Sequence, residues 1–259
     1  MVLNGDIFAD LSYTEILKKH EARGNLATIA LHEVEDPTRY GVAELDADCR
    51  VKRFIEKPVE GTAPTNLINA GIYVLNPKIF QYIPKGKAVS MEREIFPKLV
   101  EERELYGHVF QGLWMDIGKP EEYLQANKIR LNAFAKPQKT KSTSKFELKN
   151  PVAMDKNVHV GAKSIIGPYA ILGKNVNIGK NVQIKESIIL PDVKIGDSTL
   201  INGAIIGENA VIGKKARINK GCIIGDQAKI RDNVSLADGT AVCPAKEVSE
   251  NILKPTSIC

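Results

Sequence analysis

Residues 158–184 read VHVGAKSIIGPYAILGKNVNIGKNVQI, and an aliphatic side chain recurs in them at every sixth position. The spacing continues almost to the C-terminus, with a slip of one residue before Ile195 and another before Ile206. Such a long sixfold period is typical of a left-handed parallel β-helix, in which each short strand directs one aliphatic side chain into a prism-shaped core. The predicted core positions are Val160, Ile166, Leu172, Ile178, Ile184, Leu190, Ile195, Ile201, Ile206, Ile212, Ile218, Ile224, Ile230, Leu236 and Val242.

A second, smaller position accompanies the repeat. Four residues after many of the aliphatic positions stands a small or β-branched side chain, as at Ser164, Ala170 and Ala216. Cys222 occupies one of these positions, so we expect it to be a small core residue rather than a reactive thiol.

The first 134 residues follow a different pattern. Residues 1–6 predict the end of a buried strand that presents Asp6 at its carboxyl tip, where open α/β sheets bind ligands. Ser12–His20 has helical spacing with Gly24 positioned to close the helix, and residues 26–32 predict a further strand. The order strand, helix, strand is typical of a parallel sheet with crossover connections.

Composition limits the function classes. Of the 259 residues, 43% are hydrophobic and 26% charged, as in soluble globular proteins. The net charge of +5 comes from scattered basic residues, which argues against nucleic-acid binding. No apolar run reaches membrane-spanning length, and the four cysteines show neither CxxC spacing nor a disulfide framework. We therefore expect a cytoplasmic protein without disulfides or membrane contact.

Charged side chains at predicted strand tips suggest a phosphate-handling site. Asp6 and Asp116 are two separated carboxylates that could hold one Mg²⁺, with substrate phosphates completing its oxygen shell. Glu56 and Lys57 stand together at the end of another strand, and Lys57 could neutralise a phosphate. Taken singly, each has a plainer interpretation, because an Asp at a turn is usually a local cap and a Glu-Lys pair is usually a solvated surface.

Five motifs resemble those of the sugar-1-phosphate nucleotidyltransferase family and occur in the same order. Their residues are most similar to those of mannose-1-phosphate guanylyltransferases. They are Leu3–Asp6, Arg39–Val42, Phe54–Pro58, Ile68–Tyr73 and Trp114–Pro120, followed by the β-helix. The resemblance implies an α/β plus all-β chain. The C-terminal part of a truncated Rossmann-like catalytic domain would occupy residues 1–134. A linker over residues 135–150 and the β-helix domain over residues 151–259 would follow.

The resemblance also implies a reaction. In the family, a sugar-1-phosphate oxygen attacks the α-phosphorus of a nucleoside triphosphate, pyrophosphate leaves, and Mg²⁺ stabilises the developing charge. By motif, the metal-holding carboxylates would be Asp6 and Asp116, and Lys57 would grip the sugar phosphate. These three are the expected catalytic residues, and the expected substrate-binding residues are Gly41, Glu56, Asn69 and Gly71. Gly71 interrupts a predicted strand, which indicates a close approach by a ligand or by backbone.

One family feature has no counterpart in this sequence. The family's glycine-rich loop, of the kind G-G-x-G-T-R-L, cradles the triphosphate and reads the base, and this sequence contains no such stretch. We expect the chain alone to lack a complete triphosphate site. A misplaced start codon or split gene, a separate N-terminal catalytic polypeptide, or a non-catalytic regulatory subunit would each account for this. The β-helix is expected to mediate homo-oligomerisation or to regulate the catalytic part.

Other functions remain open at this stage. The base and sugar are weakly determined, so a glucose-1-phosphate uridylyl- or thymidylyltransferase is an alternative. A hexapeptide acyltransferase would need a histidine between neighbouring coils, and the β-helix contains only His159, at its start. The histidines are dispersed without metal-ligand spacing.

Overall fold

The computed structural model describes residues 1–134 and 145–259, and contacts group them into two units, Met1–Ile117 and Gly118–Cys259. The predicted domain boundaries stay a prediction. Residues 135–144 of the predicted linker lie outside the described residues.

The first unit is built on a six-stranded mixed sheet with the strand order β5-β4-β6-β3-β7, and β1 pairs with β6 beside this path. Strand β3 runs parallel to β7 and antiparallel to β6, so the expected crossover sheet is confirmed in mixed form. Its elements are β1 Val2–Leu3, β2 Ile7–Ala9, α1 Tyr13–Arg23, β3 Ala27–Glu33, β4 Gly41–Leu45, β5 Val51–Glu56, β6 Leu67–Leu75, a 3₁₀-helix Pro77–Tyr82, a π-helical turn Met91–Ile95, α2 Phe96–Glu101, β7 Leu105–Val109 and β8 Trp114–Asp116.

Helix α1 begins and ends as its sequence predicts. The Ser12 hydroxyl accepts a hydrogen bond from the backbone N–H of Glu15, and Gly24 adopts a left-handed conformation with φ of 67°. Ile16, fully buried, anchors the helix to the sheet core. Helix α1 is thus part of the crossover connection from β1 to β3.

Strand β1 departs from the expectation of burial. Val2 and Leu3 are each 47% exposed. Strand β1 contains two residues that pair antiparallel with Ile72 and Tyr73 of β6, so β1 lies beside β4 along one side of β6. One neighbouring strand covers less side-chain surface than two, which explains the exposure.

The segment before β7 is less regular than the sequence suggests. The sequence of residues 91–102 favours a helix interrupted at Pro97, whereas the structure has a π-helical turn, Met91–Ile95, followed directly by α2. Pro97 lies in the first turn of α2, where its missing N–H costs no helical hydrogen bond. The irregularity therefore precedes the proline.

The second unit contains α3, Pro120–Phe134, and a parallel β-helix, which confirms the interpretation of the repeat. Three parallel sheets of seven, six and six strands form its sides. The Lys128 ammonium of α3 lies 2.6 Å from the Glu186 carboxylate and over the ring of Tyr169 in the β-helix. The strands are β9 Glu147–Leu148, β10 Val152–Met154, β11 His159–Val160, β12 Ile165–Ile166, β13 Ala170–Leu172, β14 Asn177–Ile178, β15 Gln183–Lys185, β16 Ile188–Ile189, β17 Lys194–Ile195, β18 Leu200–Asn202, β19 Ile205–Ile206, β20 Val211–Ile212, β21 Arg217–Ile218, β22 Ile223–Ile224, β23 Lys229–Ile230, β24 Ser235–Leu236, β25 Ala241–Val242, β26 Glu247–Val248 and β27 Ser257–Ile258.

The repeat phase is correct except at one coil. The aliphatic positions from Ile166 to Ile184 and from Ile195 to Val242 form one buried core, whereas Leu190 is wrong and Ile189 takes the interior place. The slip therefore falls within residues 185–189. Buried Ser187 fills the small position there, and its hydroxyl donates to the carbonyl of Lys185. The smaller predicted positions, including Cys222, are all buried.

The cysteine expectation is also wrong in one respect. Cys243 and Cys259 form a disulfide, with Cα atoms 4.9 Å apart. Strand β27 pairs with β25 just before the bridge, so the polypeptide brings the two sulfur atoms together although the sequence spacing carries no motif. Cys49 and Cys222 are free thiols, and burial raises the pKa of Cys222. No helix within the described ranges combines the length and apolarity needed to cross a bilayer.

Candidate functional site

A cleft of about 460 Å³ opens in the first unit, and all seven predicted site residues line it. The structure thus collects side chains from positions spread over more than a hundred residues of sequence. The assigned roles remain predictions, but the convergence into one cleft is a structural fact. The seven residues are Asp6, Gly41, Glu56, Lys57, Asn69, Gly71 and Asp116.

The two aspartates are brought together by a short antiparallel ribbon of β2 and β8. Asp116 ends β8 opposite Ile7, the first residue of β2, and Asp6 immediately precedes Ile7. The backbone N–H of Ile117 donates to the carbonyl of Asp6 at 2.8 Å, which extends the ladder past both carboxylates. The ribbon register therefore places the two aspartates at adjacent positions of the ladder, and both line the cleft.

This donor set fits a hard divalent cation. Mg²⁺ is usually bound through one or two carboxylates while substrate phosphates and water supply the other oxygens. In residues 1–134 and 145–259, no three His, Cys, Asp or Glu side chains cluster closely enough to form a metal cage.

The end of β5 presents Glu56 and Lys57 to the cleft. Glu56 pairs with Gly41 across the β4–β5 ladder, and the Lys57 N–H donates to the Tyr40 carbonyl at 3.1 Å. Lys57 adopts a φ of 50°, a conformation that is uncommon for residues other than glycine and is often found at functional sites. The turn leaves the lysine side chain exposed at the cleft, where it could meet a phosphate.

Gly41 is required because the Glu56 carboxylate lies directly over it. A Cβ atom at position 41 would stand 2.6 Å from Cζ of Phe54 and 2.8 Å from Oε2 of Glu56. Gly71 is constrained differently: its φ is 73°, and an added Cβ would meet the Asn4 side-chain amide at 2.8 Å. The close approach predicted from Gly71 is made by Asn4. The backbone N–H of Asn4 also donates a hydrogen bond to the Gly71 carbonyl at 2.9 Å.

Glu56 has an acidic neighbour in the cleft. Burial raises the pKa of Glu56, and the charge of Glu92 raises it further, whereas Lys57 opposes the shift. Glu92 also lines the cleft, on the π-helical turn Met91–Ile95. Two carboxylates on one wall favour a ligand surface that donates hydrogen bonds, such as sugar hydroxyls.

Sequence reasoning missed seven further residues that line the cleft: Asn4, Ile7, Arg39, Tyr40, Tyr73, Glu92 and Trp114. The Trp114 indole N–H donates to the Ala70 carbonyl at 3.1 Å, and this bond orients its ring as a wall of the cleft. Arg39 and Trp114 lie inside motifs that were recognised for other residues. Glu92 carries no local signal, because it lies outside all five recognised motifs.

Two family models account for most of the chain. The model described as "Nucleotidyl transferase" matches residues 1–133, and the model described as "GMPPB C-terminal domain" matches residues 148–258. The chain belongs to the nucleotidyl transferase family. The motifs identified in the sequence and the cleft described above all lie within the first of these matches.

Curated relatives agree with this assignment. A probable mannose-1-phosphate guanylyltransferase 2 of Arabidopsis thaliana is 36% identical over 168 residues, which cover 64% of this chain and 45% of the relative. The mannose-1-phosphate guanyltransferase of Saccharomyces cerevisiae is 39% identical over 142 residues, covering 54% and 38%. A mannose-1-phosphate guanylyltransferase catalytic subunit beta of Drosophila pseudoobscura pseudoobscura is 39% identical over 140 residues, covering 54% and 37%. The chain thus spans less than half the length of these relatives.

Proposed function

We propose that this nucleotidyl transferase chain carries the sugar-phosphate and metal-binding part of a mannose-1-phosphate guanylyltransferase site, which converts mannose 1-phosphate and GTP to GDP-mannose and pyrophosphate. The observation that carries the proposal is the convergence of all seven motif residues in one cleft. The names of the relatives support mannose and guanine. These comparisons favour neither a glucose-1-phosphate nucleotidyltransferase nor an acyltransferase.

In this proposal the substrate performs the chemistry and the protein positions it. A phosphate oxygen of mannose 1-phosphate forms the new bond to the α-phosphorus of GTP, and the bond to the leaving pyrophosphate breaks. Lys57 pairs with the sugar phosphate, while Glu56, Gly41 and Asn69 hold the sugar hydroxyls. Catalysis then rests on orientation and charge neutralisation rather than on a protein nucleophile.

Asp6 and Asp116 are proposed to hold Mg²⁺ with phosphate oxygens of the substrates. When bound, the ion neutralises charge that develops on the transferring phosphoryl group. The Asp116→Asn substitution distinguishes an enzyme from a regulatory subunit: in the complete enzyme it should abolish Mg²⁺-dependent pyrophosphate release and leave the particle mass unchanged. Unchanged release would contradict the metal role.

The triphosphate site is proposed to need a glycine-rich segment in addition to the residues described here. We expect this chain by itself to bind mannose 1-phosphate without releasing pyrophosphate from GTP. Release should appear when a polypeptide carrying that segment is added. Turnover by this chain alone would mean that other residues hold the triphosphate.

Homo-oligomerisation through the β-helix and a cytoplasmic location also remain proposals. One row of isoleucines on the β-helix supports the first, because Ile171, Ile188, Ile205 and Ile223 stand in register on successive coils. Ile188 is already buried, whereas the other three are partly exposed and could be buried further against a second copy. Light scattering of the purified chain measures the mass that decides this point.

Isothermal calorimetry with mannose 1-phosphate tests the sugar-phosphate site directly. We expect Lys57→Met to weaken binding about tenfold or more, since a charge-assisted hydrogen bond contributes roughly 1.5–3 kcal/mol. Lys85→Met is the matched control, because Lys85 is exposed and lies outside the residues lining the cleft. Equal losses in the two variants, or no binding by the unaltered chain, would refute the proposed site.

A further inference from the structure

A continuous hydrogen-bond relay runs behind the sugar-binding wall of the cleft. The Ser90 hydroxyl donates to Oε2 of Glu92 at 3.0 Å, and the Tyr73 hydroxyl donates to Oε1 of Glu92 at 3.0 Å. The Asn69 side-chain amide donates to the Tyr73 hydroxyl oxygen at 3.0 Å. The Gly71 N–H in turn donates to Oδ1 of Asn69 at 3.1 Å. Five residues from two separate segments thus form one connected chain.

The direction of every bond follows from the chemistry of its partners. Tyr73 has a single hydroxyl hydrogen, and it donates this hydrogen to the Glu92 carboxylate. Tyr73 is 3% exposed, and burial raises its pKa, so it keeps that hydrogen. Its oxygen must then accept from Asn69. The Asn69 amide is left with one N–H and one lone pair for a ligand.

We propose that Glu92 and Tyr73 are positioning residues that orient the Asn69 amide toward one hydroxyl group of the bound sugar, and so determine which sugar the cleft accepts. This inference rests on the proposed sugar-phosphate site. It assigns specificity to a segment, Met91–Ile95, that none of the recognised motifs includes. Single π-helical turns are rare, and those that occur are frequently found at functional sites.

The distribution of charge in the cleft agrees with this orientation. Glu56 and Glu92 supply acceptors on one side, and Arg39 and Lys57 supply cations among the lining residues. A sugar phosphate has both complements, with hydroxyl donors on the ring and an anionic phosphate. The hydroxyl face would therefore meet Asn69 and the two carboxylates, while the phosphate meets the cations.

Calorimetry with mannose 1-phosphate and with the series of its monodeoxy analogues tests the relay. Tyr73→Phe removes the hydroxyl with little change of shape, and Glu92→Ala removes its acceptor. Glu92→Gln retains a carbonyl oxygen for Tyr73. Glu60→Gln is the control, because Glu60 is exposed on a loop outside the residues that line the cleft. Thermal unfolding of each variant verifies that it is folded.

In the unaltered chain, we expect one deoxy analogue to bind about tenfold more weakly than mannose 1-phosphate, the scale of one lost hydrogen bond. In Tyr73→Phe and Glu92→Ala, that ratio should fall below about threefold, and the double variant should lose no more than either single one. Glu92→Gln should recover most of the discrimination. A purely structural role would change stability and leave the analogue ratio intact.

Two negative results have distinct meanings. If the unaltered chain binds no mannose 1-phosphate, the proposed function fails and the relay fails with it. If that chain binds mannose 1-phosphate, but folded Tyr73→Phe and Glu92→Ala keep its full analogue discrimination, the relay alone is overturned.

Discussion

Gly41→Ala should be among the most damaging single-methyl additions in the first unit. The new Cβ would lie 2.6 Å from Cζ of Phe54 and 2.8 Å from Oε2 of Glu56, and both distances are well below normal contact. Phe54 packs edge-on against Phe96, which is fully buried, so its ring has little freedom to retreat. The methyl group must therefore displace the Glu56 carboxylate, the aromatic ring, or both.

The expected loss of stability is about 1–3 kcal/mol, the usual range for inserting a methyl group into a packed site. With a urea m-value of about 2 kcal/mol/M, this shifts the unfolding midpoint down by roughly 0.5–1.5 M. Binding of mannose 1-phosphate should also weaken about tenfold, because Glu56 leaves the position in which it can accept a sugar hydroxyl.

Tryptophan fluorescence in urea is the appropriate assay. The chain contains one tryptophan, Trp114, and it lies in the first unit against Tyr40, the neighbour of Gly41. Its signal therefore reports this unit separately from the β-helix. Gly5→Ala is the matched control: Gly5 also sits in a cleft motif, yet an added Cβ there meets nothing within 4 Å.

Two further glycines separate crowding from backbone strain. Gly24 has a φ of 67° with open space around it, so Gly24→Ala should cost about 1 kcal/mol through conformation alone. Gly71 combines a φ of 73° with the close Asn4 amide, so its substitution should exceed that cost. The reasoning is refuted if Gly41→Ala and Gly5→Ala unfold at the same urea concentration as the unaltered chain.

Three other perturbations have directions fixed by the structure. The raised pKa of Glu56 means that the folded chain holds this proton more tightly than the unfolded chain, so its stabilising effect is lost as pH rises above the ordinary value of 4.5. At neutral pH, the Glu56→Gln variant should therefore unfold at a higher urea concentration than the unaltered chain, and below pH 4.5 the two should unfold at the same concentration. A difference that persists below pH 4.5 would contradict a raised pKa of Glu56 as its cause. The Cys243–Cys259 disulfide closes a loop with a sequence separation of 16, so its reduction should destabilise the end of the β-helix by about 3 kcal/mol. Hydrogen exchange in β27 should then become faster. Unchanged exchange after reduction would refute this prediction. Lys128→Met should lower the free energy of unfolding of the second unit by no more than about 1 kcal/mol, because the ion pair with Glu186 is partly exposed. Unfolding measured over a salt titration tests this. A larger loss of stability would show that the pair is effectively buried.

The β-helix was predictable because its signal is repeated in every coil. Each coil places a small residue two positions before a core aliphatic residue, so many weak preferences point to the same phase. The error at Leu190 arose where Ile188, Ile189 and Leu190 offer three consecutive aliphatic side chains. The two-residue spacing from Ser187 to Ile189 is the local signal that would have placed the slip correctly.

The candidate site was predictable only in part. Asp6, Lys57 and Asp116 follow or end strands within short motifs, and such positions tend to meet at one edge of a sheet. Glu92 could not be found in this way, since it is linked to Asn69 by one buried tyrosine hydroxyl and not by sequence proximity. The disulfide was missed for a similar reason: the pairing of β27 with β25 creates the closeness of Cys243 and Cys259.

The sequence by itself determined the β-helix, the opening strand, helix and strand of the first unit and the residues at its strand tips. These properties depend on hydrophobic period, turn chemistry and short motifs, which act over a few residues. Only the tertiary structure decided that β1 is exposed, that Glu92 faces Glu56 and that Tyr73 joins Glu92 to Asn69. These properties depend on which distant segments pack together, and packing is settled by the free energy of the whole chain rather than by any one stretch of it.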